Sequence, residues 1–359
     1  MRVRYTKDNS GKLVKCAEIY TQEDHHISKD TIDSNAVSII NRLEKKGFTA
    51  YIVGGAVRDL LLGTEPKDFD IVTDATPRQI RRSFRNSRII GRRFKLVHIV
   101  FQNNIYEVST FRSFESEYHS HNFGTPEEDV LRRDFSMNAL FYSPTDNTIL
   151  DFVGGVRDIK KNKIRPLISL KKIFTEDPVR MVRAIKYSAG TPLKLSFRLK
   201  SKLRSSVELL QSVSSSRLTE EFMKIIFSGK SEEIFRSLKN HNLLEHFMPN
   251  LHEYLLHNKS LQDTFFYSCQ RCDQYIKSNS DPVRAQVYYL FFDTYMEKKE
   301  KETEGPVTHK DLLKELKYLI KPLTPPNQSL IDAIHLFKGT KKGKRTKRKI
   351  KGRSKPKNR

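Results

Sequence analysis

The sequence predicts an α+β protein: a head of mixed strands and helices, an all-helical remainder, and a disordered basic C-terminus. Three observations carry this. Short β-rich runs alternate with helical patterns between about 35 and 155. From about 165 to 337 the apolar spacing is helical throughout, which separates a mixed layer from a helical one. From Lys338 to Arg359 the chain carries thirteen Lys or Arg and no acid, with no apolar periodicity to build a core. The division that follows is a polar N-terminal extension (1–34), a mixed head (35–155), a helical neck (156–230), a helical body (231–337) and the tail (338–359).

Each element has a local reason. Ala36, Val37, Ile39, Ile40 and Leu43 share one face of a helix over 34–46, which Gly47 ends. Residues 49–53 form a short β-rich run closed by Gly54-Gly55, and 56–62 reads as a helix. Phe69-Asp-Ile-Val72 is a second strand, and Thr76-Pro77 opens another helix with proline in its first turn. Further strands are expected at 96–101 and 105–111, joined by a tight turn at Asn103-Asn104. Residues 113–129 are polar and predict a loop; 136–142 and 149–152 resume the apolar pattern. Pro322 to Gln328, PLTPPNQ, predicts a break between helices.

The formal net charge is +24, the footprint of a polyanion partner, nucleic acid before anionic membrane. No run of apolar residues is long enough to span a membrane, and the N-terminus lacks an apolar signal core. Three cysteines, Cys16, Cys269 and Cys272, make no disulfide framework, which fits a reducing cytoplasm. Cys269 and Cys272 lie in a helix-like stretch without two further zinc ligands at a standard spacing, so a core position is expected.

The sharpest local feature is Gly54-Gly55-Ala-Val-Arg58-Asp59 followed by Asp68-Phe-Asp70. Two aspartates at i and i+2 of a strand point to one face, where their repulsion is relieved by a cation. The Gly-Gly turn lets backbone N–H groups approach phosphate, and Arg58 lies one helical turn beyond it. Two metals about 4 Å apart can activate a hydroxyl and stabilise leaving pyrophosphate. A third carboxylate would be Asp134, first choice, or Glu107; Arg133 is placed to neutralise triphosphate or to pair with Asp134. In Glu176-Asp177-Pro178-Val-Arg180-Met-Val-Arg183, Asp177, Arg180 and Arg183 share a helical face. Either this is a capping aspartate with surface ion pairs, or Asp177 and Arg180 face a base edge while Arg183 reaches phosphate.

Together YIVGGAVRDLLLG, KDFDIVTDATP, RRDFSMNALFY and FTEDPVRMVRAIKYS resemble the class II nucleotidyltransferases, the family of bacterial poly(A) polymerases and tRNA CCA-adding enzymes. The resemblance implies a polymerase-beta-like head. It implies Asp68 and Asp70 as the pair holding two Mg²⁺ ions, with Asp134 in the family's Arg-Arg-Asp motif. Gly54, Gly55, Arg58 and Arg133 would contact nucleotide, Asp177 and Arg180 would select the base, and Arg183 would be a further nucleotide contact. ATP is then the substrate and an RNA 3′ end the partner. The stretch Gly91-Arg-Arg-Phe94-Lys-Leu96-Val-His98 resembles a poly(A) polymerase signature, and Ser216-Arg217-Leu218-Thr-Glu220 the helical body of those enzymes. The basic tail, with Lys341, Lys342, Lys344, Arg345, Lys347, Arg348 and Lys349, suits the holding of generic RNA. The expected activity is poly(A) addition. Addition of all or part of CCA to tRNA is the alternative, and a non-catalytic RNA-binding protein the remote one.

Overall fold

A computed structural model describes residues 1–7, 10–91, 96–102, 104–113 and 123–351, with 341–351 as backbone alone. The chain forms two compact units, Met1–Ile173 with Leu193–Phe197, and Phe174–Pro192 with Arg198–Arg359.

The first unit is built on a nine-stranded sheet. Its strands are β1 (Arg2–Lys7), β2 (Leu13–Tyr20), β3 (Ala50–Val53), β4 (Asp70–Thr73), β5 (Ser87–Ile90), β6 (Leu96–Phe101), β7 (Asn104–Thr110), β8 (Leu140–Ser143) and β9 (Thr148–Asp151). They lie in the order β1-β2-β9-β8-β3-β4-β7-β6-β5. β4 and β7 run parallel while the other neighbours are antiparallel, so the sheet is mixed. The short strands β3 and β4 sit at its centre, apolar on both faces as central strands should be. Val53, Val72, Phe111, Val130, Ala139, Phe141 and Leu150 form one core cluster. Within it the Phe111 and Phe141 rings meet edge to face, 6.1 Å apart.

Three expectations need correction here. Residues 1–34 are not an irregular extension. β1 and β2 pair with each other, and β2 adds to β9 through Glu18, Ile19 and Tyr20, burying Ala17 and Tyr20. The alternation in Leu13–Tyr20 is diluted by Lys15 and Glu18, and Glu18 is buried against Tyr20 and Lys15. Residues 113–129 are not wholly loop: Pro126–Leu131 is a helix opened by a capping box between Thr125 and Glu128. β4 begins at Asp70, so Asp68 precedes the strand rather than lying in it. Asn103 of the expected turn, and Arg92, Arg93 and Phe94 of the Gly91–His98 signature, lie outside the described residues.

The second unit is helical. Phe222, Phe235 and Phe265 each lie about 5.5 Å from Phe291, a buried aromatic knot drawn from four helices. Asp273, on the Lys259–Ser278 helix, accepts from the backbone of Ser231 at 2.7 Å and Glu232 at 3.0 Å, capping the Ser231–Asn240 helix from outside. Cys269 and Cys272 are buried in the Lys259–Ser278 helix, as expected of core positions. The break over 322–326 separates the His309–Leu319 helix from the last one, Asn327–Lys351. That last helix carries the backbone through the start of the expected tail. Lys338 is anchored, donating to Glu300 and, at 2.8 Å, to the carbonyl of Val307. No described helix is long and apolar enough to cross a membrane.

Candidate active site

The site in the first unit is organised by the turn after β3. Gly54 has φ +74° and ψ −129°, a conformation that L side chains rarely adopt, and it caps the Gly55–Leu61 helix. The turn is crowded by function-bearing side chains. A methyl group on Gly54 would lie 3.7 Å from Arg133 Nη1 and 3.9 Å from Asp70 Oδ2. One on Gly55 would lie 3.4 Å from Arg58 Nη2. Antiparallel pairing sets Asp70 opposite Val53, which delivers the carboxylate to the turn. Asp68 and Asp70 are both exposed, and Asp68 has no hydrogen-bond or ion-pair partner among the described residues.

The two arginines are held from behind. Arg58 donates to Asp59 at 2.8 Å and to Asn138 Oδ1 at 2.8 Å, and its side chain is only 11% exposed. Arg133 donates through Nε and Nη2 to Asp129 and through Nη1 to the Asn138 carbonyl at 3.1 Å. Its guanidinium also lies 5.5 Å from the Phe141 ring centre. Arg133 therefore pairs with Asp129, not with its neighbour Asp134.

Asp134 stands apart from the aspartate pair in character. It is 5% exposed, and its Oδ1 accepts from Phe135 N at 2.8 Å and Asn138 Nδ2 at 3.2 Å. Glu107 stands differently again. The parallel register sets Ile71 beside Val108, so one step earlier Asp70 and Glu107 fall side by side, both exposed. Glu107 Oε1 leans across to His98 Nε2, 3.4 Å away. Among the described residues, no three His, Cys, Asp or Glu side chains are gathered closely enough to hold a metal. The protein's own donors are thus a pair of exposed carboxylates, hard oxygen ligands of the kind Mg²⁺ takes while keeping water and phosphate in its shell.

The second unit carries the other constellation. Asp177 Oδ1 accepts from Val179 N at 3.2 Å at the start of the Val179–Gly190 helix. Its Oδ2 accepts from Arg217 Nη2 at 2.7 Å, whereas Arg180 Nε is 3.9 Å away. Arg180 also lies 3.5 Å from Glu176. Arg183 donates to the Tyr187 hydroxyl at 3.1 Å and sits 3.8 Å from Glu221, a buried carboxylate shared with Lys186. The side chains of Lys341, Lys342, Lys344, Arg345, Lys347, Arg348 and Lys349 are outside the described residues.

Sequence reasoning missed four partners: Asn138, Asp129, Arg217 and Glu221. Asn138 had a signal, four residues after Asp134 in a stretch already singled out. Arg217 and Glu221 are a helical turn apart, one facing Asp177 and the other Arg183 and Lys186. Asp129 fell in the segment read as loop.

A mixed-sheet head with an Asp-x-Asp beside a glycine turn and paired arginines, joined to a helical unit, defines a nucleotidyltransferase class of fold. Residues 50–165 match the model of the poly(A) polymerase head domain. Residues 193–255 match that of the probable RNA and SrmB-binding site of polymerase A. Poly(A) polymerase I of Salmonella typhi is 39% identical over 256 residues, 67% of this chain and 55% of that protein. The CCA-adding enzyme of Bacillus velezensis is 34% identical over 232 residues, 61% of this chain and 56% of that one. The chain thus spans about half the length of these curated relatives. The solved structure of Bacillus stearothermophilus CCA-adding enzyme in complex with CTP shares the fold. Its TM-score is 0.54 at 22% identity, covering 88% of this chain and 98% of that one. The chain belongs to the poly(A) polymerase and tRNA nucleotidyltransferase family.

Proposed function

We propose that this protein is a template-independent RNA nucleotidyltransferase that adds AMP from ATP to RNA 3′ ends, releasing pyrophosphate. The observation that carries the reading is the convergence of Asp70, Arg133 and Arg58 on the Gly54-Gly55 turn. Exposed carboxylates and restrained guanidiniums side by side suit a ligand that is both polyphosphate and metal-bearing. Mg²⁺ held by Asp68 and Asp70 would supply activation of the attacking 3′-hydroxyl and neutralise charge on the leaving pyrophosphate.

The rest is the work of the chain's own side chains. Arg58 and Arg133 bind the phosphates, pre-oriented by Asp59, Asp129 and Asn138, so little side-chain entropy remains to be lost on binding. Asp134, buried, positions Asn138 and is not itself a metal ligand in this reading; Glu107, beside Asp70 in register, leans to His98, so the reading rests on Asp68 and Asp70 as the metal-holding pair. Asp177 and Arg180 read the base edge, replacing a template. The higher identity to poly(A) polymerases, 39% against 34% for CCA-adding enzymes, favours ATP as the nucleotide.

The test is to supply ATP or CTP separately on a generic RNA and on a tRNA lacking its 3′ end. AMP addition to generic RNA supports the reading. CTP addition confined to tRNA would make the protein a CCA-type enzyme. No addition to either would leave an RNA-binding protein.

A further inference from the structure

We infer that Asn138 is a positioning residue: it sets the spacing of Arg58 and Arg133 around the Gly54-Gly55 turn and thereby the affinity for the triphosphate arm of the nucleotide. The inference rests on the nucleotidyltransferase reading and deepens it.

Asn138 is buried and contacts three charged side chains of the site. Its side-chain carbonyl accepts from Arg58 Nη1 at 2.8 Å. Its side-chain amide donates to Asp134 Oδ1 at 3.2 Å. Its backbone carbonyl accepts from Arg133 Nη1 at 3.1 Å. The orientation of the amide follows from chemistry, because a guanidinium can only donate and an ionised carboxylate can only accept. Each arginine is thus held both by a carboxylate and by Asn138. Arg58 is held by Asp59 and the Asn138 side chain, Arg133 by Asp129 and the Asn138 backbone.

The two guanidiniums flank successive glycines, Arg133 beside Gly54 and Arg58 beside Gly55, at the distances that a methyl group would meet. The residue between them can serve both a cation and a buried anion only if it carries a donor and an acceptor on a short neutral side chain. An amide does this. An apolar residue of similar size would leave Asp134 and Arg58 each short of one partner in a buried place. Asp134 in turn is fixed by Phe135 N, so the chain of contacts runs from the backbone of the Ser136–Asn138 turn out to the phosphate-facing arginines.

The test measures binding of inorganic tripolyphosphate and of ATP to the full chain by calorimetry at fixed Mg²⁺, without RNA. Asn138→Ala should weaken tripolyphosphate roughly tenfold, the loss expected when one charge-assisted hydrogen bond no longer orients a guanidinium. ATP and CTP should weaken by the same factor, because the contact lies on the phosphate side. Asn138→Gln keeps a neutral amide, with an acceptor for Arg58 and a donor for Asp134, and leaves the backbone carbonyl for Arg133. It should recover part of the affinity even where its melting temperature falls as far as that of the alanine variant. If the alanine variant does not fold, Asn138→Ser takes its place and should lose an intermediate amount. An alanine variant binding tripolyphosphate within twofold of the native protein would overturn the inference, whatever its melting temperature. So would a Gln variant that binds no better than alanine. Because tripolyphosphate binding needs no turnover, failure of the native protein to add nucleotides would overturn the proposed function and leave this comparison standing.

Discussion

Alanine substitution at Gly54 and at Gly55 separates backbone strain from side-chain displacement, since the two neighbours differ in what a methyl group would cost. At Gly54 there is room: the nearest atoms would be 3.7 and 3.9 Å away. The penalty is the backbone, held at φ +74° and ψ −129°, where a side chain costs on the order of 1–3 kcal/mol. At Gly55 the backbone is helical, and alanine there is favoured over glycine by roughly 0.5–1 kcal/mol. Its methyl would instead press on Arg58 Nη2 at 3.4 Å, the movable end of a long side chain. Gly54→Ala should therefore lower the melting temperature of the first unit by roughly 2–12 °C, at about 2–4 °C per kcal/mol for a unit of its size. Gly55→Ala should be as stable as the native protein or slightly more so. Both should lose nucleotide addition, the first because the turn relaxes and the second because Arg58 is pushed out of line. The chain has no tryptophan, so hydrogen exchange at the β3 and β4 amides is the better local readout of stability. A Gly54→Ala protein as stable as native, or a Gly55→Ala protein less stable than it, would refute the reasoning.

Four other outcomes are expected. Asp68→Ala or Asp70→Ala should abolish addition while leaving folding and RNA binding largely intact, because both carboxylates are exposed and removing one relieves repulsion; near-normal turnover with Mg²⁺ would contradict the metal assignment. Arg180→Ala should blur ATP over CTP preference by about 1–3 kcal/mol, the scale of a base-edge contact, and Arg217→Ala should blur it too by releasing Asp177, whereas unchanged selectivity with lowered stability would make Asp177 only a helix cap. Iodoacetamide at pH 8 should alkylate Cys16 but neither Cys269 nor Cys272 in the native protein. Burial pushes the Cys272 thiol up to about 12 and Cys269 well above its ordinary value, leaving both protonated and out of reach; mass spectrometry after brief labelling decides it. Deleting 341–359 should weaken RNA binding most at low salt and flatten the slope of log affinity against log salt; equal slopes would rule out phosphate contact by the tail.

What the sequence made legible was what local chemistry alone determines. Gly54-Gly55 after a β-run, Thr76-Pro77 before a helix and Gly47 after one each act within a few residues, and each lies where expected. The misses share a cause. β1 is an edge strand and β2 joins the sheet only through β9, far along the chain, so their charged residues hid the pairing. The Pro126–Leu131 helix is short and acidic, and Thr125 and Glu128 were its one clear signal. The choice between Asp134 and Glu107 was beyond spacing altogether. That Asp134 turns inward to Asn138 and that Glu107 lies beside Asp70 are facts of tertiary pairing.

The division of the chain into two units bears on the open question of nucleotide choice. Asp68, Asp70, the glycine turn, Arg58 and Arg133 all belong to the first unit, and the Asp177–Arg180–Arg217 group to the second. Under the proposed function, chemistry is assigned to the first set and base selection to the second. A relative that adds A and one that adds C can then keep the first set unchanged and differ in how the second presents Asp177. In this chain Arg217, not Arg180, makes the short contact to that carboxylate. Arg180 donates to Glu176 at 3.5 Å and lies farther, 3.9 Å, from Asp177. Selectivity should therefore respond to Arg217 through the acceptor and to Arg180 through the donor, while the rate of phosphoryl transfer with a saturating nucleotide responds to neither.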